Sequence, residues 1–209
     1  MPNKVLVLFS GGLDSTAVAL KHLEMGDQVE LHTFCNGAQK WLDLAKIKAD
    51  FIINQYPDYC SWVLCDCTYL FHEIAIKNLE KDIKEFGNLV CCGCKLAMLG
   101  EAIILCKHKN LKGISDGFNR EQIYYPEQTP NFIKATKDFC LLYELDYEHP
   151  LYDEDRNSFM DLHLKHNVPP SPIQPYCIFE RNPVLDKSHI EEYTKRKLDI
   201  LKTYIDKYL

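Results

Sequence analysis

Seven consecutive residues, Ser10-Gly11-Gly12-Leu13-Asp14-Ser15-Thr16, hold the densest chemistry in the chain. Two adjacent glycines let the backbone turn tightly and approach a ligand. Successive amide N–H groups in such a turn converge on an anion, and a helix starting there adds the positive end of its dipole. Ser10, Ser15 and Thr16 supply hydroxyls. Asp14 can fix the turn, or help hold a magnesium ion on bound phosphate. The plain alternative is a polar turn joining a strand to a helix. No Gly-Lys-Ser/Thr follows, so this is not the Walker arrangement, and it is not a dinucleotide fingerprint, because Gly-x-Gly-x-x-Gly is missing. A second cluster is Cys91-Cys92-Gly93-Cys94-Lys95, with Cys177 far downstream in Gln174-Pro175-Tyr176-Cys177. Thiolates at the Cys91–Cys94 spacing can chelate one metal or cluster. At a helix N-terminus their pKa falls and the thiolate fraction rises. The alternatives are small core residues, a bare redox pair, or half of a structural zinc site.

The elements that must position these groups follow from periodicity. Lys4 to Phe9 is a continuous apolar run, as in a strand buried on both faces of a parallel sheet. Helical spacing runs from Thr16 to Met25 and stops at Gly26. Val29 to Cys35, Ser61 to Cys65, Leu111 to Ser115 and Tyr147 to Leu151 read as further strands. Helices are expected over 38–55, 70–86, 94–107, 129–144, 157–166 and 188–208, with Thr129-Pro130 as an N-cap and first turn. Strands alternating with helices predict an α/β fold: an open, mainly parallel sheet with helices on both faces. Ligands of such sheets sit beyond the carboxyl ends of the strands. Ser10, Cys35 and Ser115 each begin a notable segment at such an end. Pro169-Pro170-Ser171-Pro172 and Pro175 form a rigid extended stretch. The expected organisation is a single domain over residues 1–209, with 168–209 as a C-terminal extension and closing helix.

Composition agrees. The chain has 209 residues, 46% hydrophobic and 26% charged, which suits one soluble globular domain and excludes disorder. A net charge of -6 disfavours binding nucleic acid through a broad basic face. No apolar run approaches the ~18 residues of a membrane span. Val5 to Phe9 is too short for a signal peptide, so the expectation is a cytoplasmic protein with no membrane role. In that compartment its ten cysteines are core filler, metal ligands or catalytic thiols rather than disulfides.

Ser-Gly-Gly-Leu-Asp-Ser after a first hydrophobic strand resembles the PP-loop of the ATP pyrophosphatase superfamily, whose fold is adenine nucleotide alpha hydrolase-like. The resemblance implies cleavage of ATP between the α- and β-phosphates, with Mg2+, and adenylation of a substrate oxygen. A nucleophile then displaces AMP. The loop residues Ser10 to Thr16 would bind the phosphates. Three further segments look like those of 7-cyano-7-deazaguanine synthase, of the queuosine pathway, and its relatives: Leu31 to Gln39, Gly113 to Asn119 and Tyr125 to Ile133. By that likeness Phe34 would lie by the adenine, or simply pack at a strand end. Asp116 and Asn119 would line the substrate and nucleotide cleft, or form a capped polar turn.

The chain departs from that synthase where the synthase carries a zinc-binding cysteine cluster near its C-terminus; here no cysteine follows Cys177. The Cys-x-x-Cys with a distant third cysteine is instead similar to PP-loop tRNA thiolation enzymes. There three cysteines hold an iron–sulfur cluster or carry sulfur. That likeness implies Cys91, Cys94 and Cys177 as ligands of a [4Fe-4S] cluster, less readily of Zn2+, with Lys95, Asp14, Asp116 and Cys177 in catalytic roles. The expected protein is an ATP-dependent ligase or sulfurtransferase that activates a substrate oxygen for sulfur or nitrogen transfer. Its partners would be a small nucleobase precursor or tRNA, with a sulfur-donor protein. The alternatives are the deazaguanine synthase proper, or a non-catalytic nucleotide-binding or redox module. His163 and His166 read as a solvated helix face, Asp153 to Arg156 as a loop and helix start, and the tyrosines of the last helix as packing on the sheet or on a second subunit in a homodimer.

Overall fold

The computed structural model describes residues 3–179 and 187–209. Five strands form one parallel sheet: β1 (Lys4–Leu8), β2 (Gln28–Cys35), β4 (Cys60–Asp66), β5 (Gly113–Ser115) and β6 (Asp146–Glu148), in the order β4-β2-β1-β5-β6. β1 lies at the centre, and its alternating side chains feed two cores. Leu6 and Leu8 join one, while Val5, Val7 and Phe9 join the other. The period of two thus explains why the whole run is apolar.

The helices sort to those two faces. α1 (Leu13–Glu24), α2 (Asp43–Ile53) and α7 (Arg156–Lys165) contribute to the Val7 core. α5 (Val90–Lys109), α6 (Pro130–Leu141) and the closing helix α8 (Ile190–Ile205) contribute to the Leu6 core. Burying a leucine such as Leu6 or Leu201, each at 0% exposure, contributes about 1.5–3 kcal/mol. Tyr193 of α8 is buried against Phe86 with ring centroids 5.7 Å apart, so this tyrosine packs within its own chain. Among the described residues no helix is long and apolar enough to cross a membrane.

Three expectations shift. Residues 38–40 open no helix: β3 (Gln39–Lys40) pairs antiparallel with β7 (Tyr176–Cys177), matching Gln39 to Cys177. That contact spans well over a hundred residues, and no local pattern carries it. The helix expected over 70–86 divides into α3 (Thr68–Phe71), a π-helical turn (His72–Ile76) and α4 (Leu79–Phe86). α5 starts at Val90 rather than at residue 94, so Cys91 and Cys94 both lie within its first turns.

Candidate active site

β1 and β5 are neighbours although the chain leaves β1 for β2 on the other side, so their carboxyl ends flank the crevice where open parallel sheets bind ligands. A cavity of about 590 Å³ opens there. Ser10, Gly12, Leu13, Asp14 and Ser15 line it from the end of β1, Phe34 from β2, and Cys91, Cys94 and Lys95 from α5. Cys177 closes it from β7.

Internal bonds shape the loop. Ser10 N donates to Ser15 Oγ at 3.2 Å, Gly12 N donates to Ser10 Oγ at 3.2 Å, and the two serine hydroxyls are 3.1 Å apart. Thr16 N returns to Gly12 O at 3.2 Å as the first helical bond. Gly12 has no side chain to cap α1, so the amides of Leu13, Asp14 and Ser15, which precede the first helical bond, have no helical partner and can present donors to an anion. Gly11 has φ +77°, a left-handed conformation that favours glycine, and a Cβ there would stand 2.4 Å from Ile173 O. Gly11 and Thr16 are both buried and do not line the cavity. The Asp14 carboxylate does, and Gln122 Nε2 donates to its Oδ2 at 2.7 Å.

Asp116 and Asn119 lie behind the cavity wall. Asp116, 1% exposed, accepts from Lys95 Nζ at 3.2 Å, from His149 Nδ1 at 2.6 Å and from the Tyr147 hydroxyl. Burial works to raise its pKa, but the Lys95 and His149 charges and the His149 and Tyr147 hydrogen bonds outweigh it. They hold the carboxyl well below the usual carboxylate range. Asp116 therefore reaches the cavity through Lys95, whose ammonium also sits 4.5 Å from the Phe118 ring centroid. Asn119 accepts from Glu121 N at 2.7 Å and so caps a short turn, the plainer of the two sequence readings.

Sequence reasoning passed over Gly117. A Cβ there would meet Asp14 C and Ser15 N at 2.6 Å, so the loop after β5 packs directly on the Ser10–Thr16 turn. The adjacency of β1 and β5 was the missing signal. The histidine pair expected on a solvated face is buried instead. His163, 0% exposed, sits 3.0 Å from Leu13 O and 3.1 Å from Pro169 O, tying the loop to the extended stretch. Burial lowers its pKa against the pull of those carbonyls. That stretch runs back over the loop and brings Gln174 into the cavity lining.

Lys48, also 0% exposed, donates to the carbonyls of Pro169 and of Ser171, the latter at 2.8 Å. Burial lowers its pKa from 10.5 to about 8. Between those values the unfolded chain holds the proton more firmly than the folded one, so this side chain makes stability rise with pH. Lys48→Met should flatten that rise, which urea midpoints of both proteins from about pH 7 to pH 10 would read.

The three cysteines expected as ligands come together only in part. Cys91, Cys94 and Cys177 line one cavity, but among the described residues no three His, Cys, Asp or Glu side chains converge as metal ligands. Burial pushes the Cys94 thiol up to about 12, and Asn36 Nδ2 donates to its Sγ at 3.0 Å. Burial thus overrides the helix N-terminus, and the thiolate is disfavoured. As placed, the donor set fits neither an iron–sulfur cluster nor zinc. Cys60, Cys106 and Cys140 are core residues, while Cys35, Cys65 and Cys67 do not line the cavity.

Comparison with known proteins agrees on the architecture. A 4-thiouridine synthetase solved with RNA and bound ATP is similar at TM-score 0.65 and 17% identity over 99% of this chain and 53% of the other. The present chain thus spans about half of that protein's length. A U34-tRNA thiolase, NcsA from Methanococcus maripaludis with its [4Fe-4S] cluster, gives 0.53 and 15% over 99% and 74%. A predicted tRNA methyltransferase subunit from Methanocaldococcus jannaschii gives 0.54 and 18% over 78% and 76%. These likenesses show a shared fold. No curated protein matches the chain. Residues 4–172 match the family described as queuosine biosynthesis protein QueC, which takes in the loop, both sides of the β1–β5 crevice and most of the cavity, and the chain belongs to that PP-loop family.

Proposed function

We propose that the chain is an ATP-dependent enzyme that adenylates an oxygen of a small nucleobase precursor. The observation that carries this reading is the cavity itself. It joins the unpartnered amides at the start of α1, the Asp14 carboxylate and the Phe34 ring within one space of about 590 Å³. The reaction balances as follows. A substrate carboxylate or carbonyl oxygen bonds to the α-phosphorus of ATP, the bond to the bridging oxygen breaks, and pyrophosphate leaves. A nitrogen or sulfur nucleophile then attacks the activated carbon, and AMP departs.

The loop amides stabilise charge gathering on pyrophosphate. Asp14, oriented by Gln122, would hold magnesium, which supplies charge neutralisation on the phosphates. Lys95, held by Asp116, places a cation beside the reacting centre, and the Phe34 ring offers the adenine a flat apolar face. Family membership favours nitrogen as the nucleophile and a deazapurine-like acceptor. The test is pyrophosphate release from ATP with a heteroaromatic carboxylic acid and ammonia. AMP and pyrophosphate in equal amounts are expected. ADP as product would mean cleavage between the β- and γ-phosphates and would overturn the reading, while no turnover with any acceptor would point to a binding or redox module instead.

A second reading, sulfur transfer, is favoured by one observation: Cys91, Cys94 and Cys177 share the cavity with the loop. On that reading a sulfur-donor protein loads one thiol, and the acceptor is a nucleobase or tRNA. Cys177→Ser separates the two. It should leave ammonia-dependent AMP formation within about two-fold of the parent, an effect below ~0.5 kcal/mol, and abolish turnover only if sulfur is the nucleophile.

A further inference from the structure

On the reading of the cavity as an ATP site, a nucleoside triphosphate would bring several negative charges against its lining. Among the described residues the lining has two cationic side chains outside histidine, Lys95 and Arg156. Lys95 is committed to Asp116 and the Phe118 ring. Arg156 is not: the nearby Asp153 pairs with Arg120, Asp155 accepts from Ser158 N to cap α7, and Glu154 accepts from Ser158 Oγ. Arg156 is the first residue of α7, and the helix is a firm mount. Phe159 is buried in the Val7 core, and His163 reaches Leu13 O at 3.0 Å. Arg156, an exposed residue, therefore lines the cavity from an element hydrogen-bonded to the Ser10–Thr16 turn.

We propose that Arg156 is the side chain that grips the β- and γ-phosphates, so that the cavity selects nucleoside triphosphate and pyrophosphate over nucleoside monophosphate. A planar guanidinium binds two phosphate oxygens at once and carries a full charge, a combination that neither the neutral loop amides nor a lysine point charge offers. This rests on the reading of the cavity as an ATP site. Beside the amides, Lys95 and the magnesium that Asp14 would hold, an arginine in the cavity lining adds a cation for the leaving pyrophosphate, where charge accumulates.

The test is calorimetric titration of the whole chain and of Arg156→Ala with α,β-methylene ATP, pyrophosphate and AMP, each with magnesium. The variant should lose at least about ten-fold in affinity for the first two ligands and keep its AMP affinity, since a charged hydrogen-bond pair is being removed. Arg156→Lys should recover part of the loss. Equal affinity of parent and variant for the methylene analogue would overturn the proposal alone, and an equal loss for AMP would overturn it by showing a merely structural role. A parent that binds no methylene analogue would overturn the ATP reading and this proposal with it.

Discussion

Replacing Gly117 with alanine is expected to lower ATP affinity by at least about ten-fold, the scale of losing one hydrogen bond to a charged group. The new Cβ would stand 2.6 Å from Asp14 C and Ser15 N and 2.9 Å from Asp14 Cβ. Those atoms belong to the turn that presents the amides, and backbone does not swing aside as a side-chain tip can. Gly12→Ala is the informative contrast. Its Cβ would meet Gln174 Oε1 at 2.4 Å, the end of a flexible side chain, so a rotamer change relieves it. The two variants should differ by an order of magnitude in ATP affinity while both remain folded, with overpacking costing about 1–3 kcal/mol. ATP titration alongside thermal melting checks this, and parent-like binding by Gly117→Ala would sink it.

Asp116→Ala should cost about 3–5 kcal/mol of stability, because it leaves the Lys95 ammonium, His149 and Tyr147 facing a buried vacancy. For a chain of this length that lowers the melting temperature by on the order of 10 °C. Asp116→Asn keeps the shape and loses the charge, so it should melt nearer the parent yet slow adenylation by releasing Lys95. The pH dependence has a definite sign. The folded-state pKa of Asp116 is depressed, so its contribution is fully present above the unfolded carboxylate value of about 3.9. It is lost as pH falls through the still lower folded value. The stability gap between parent and Asp116→Asn should stay level from neutral pH down to about 4 and narrow only below it. A gap that closes already between pH 7 and 5 would contradict the arrangement.

Much of this arrangement was legible in the residues alone. The uninterrupted apolar run of β1 announces a strand with a core on each face, and Leu6 and Val7 indeed divide between two cores. The glycine turn after it is dictated locally, since Gly11 adopts φ +77° and hydroxyl residues close the turn. Alternating strands and helices then fix a parallel sheet, and the carboxyl ends of its strands fix where a ligand goes.

Other features depend on contacts between distant stretches. Nothing near Gly117 in sequence reveals that β5 lies against β1, and nothing near Gln39 reveals its pairing with Cys177. Asp116 reads as a cleft residue until packing buries it behind Lys95, and His163 as solvated until α7 turns it onto Leu13 O. The cysteine spacing suggests reactive thiolates, yet a thiol's charge depends on its surroundings, and burial keeps Cys94 protonated. Local conformation follows from backbone sterics and hydrophobic period, which act over a few residues. Partner choice, desolvation and charge state follow from which remote atoms share a space, and folding alone settles that.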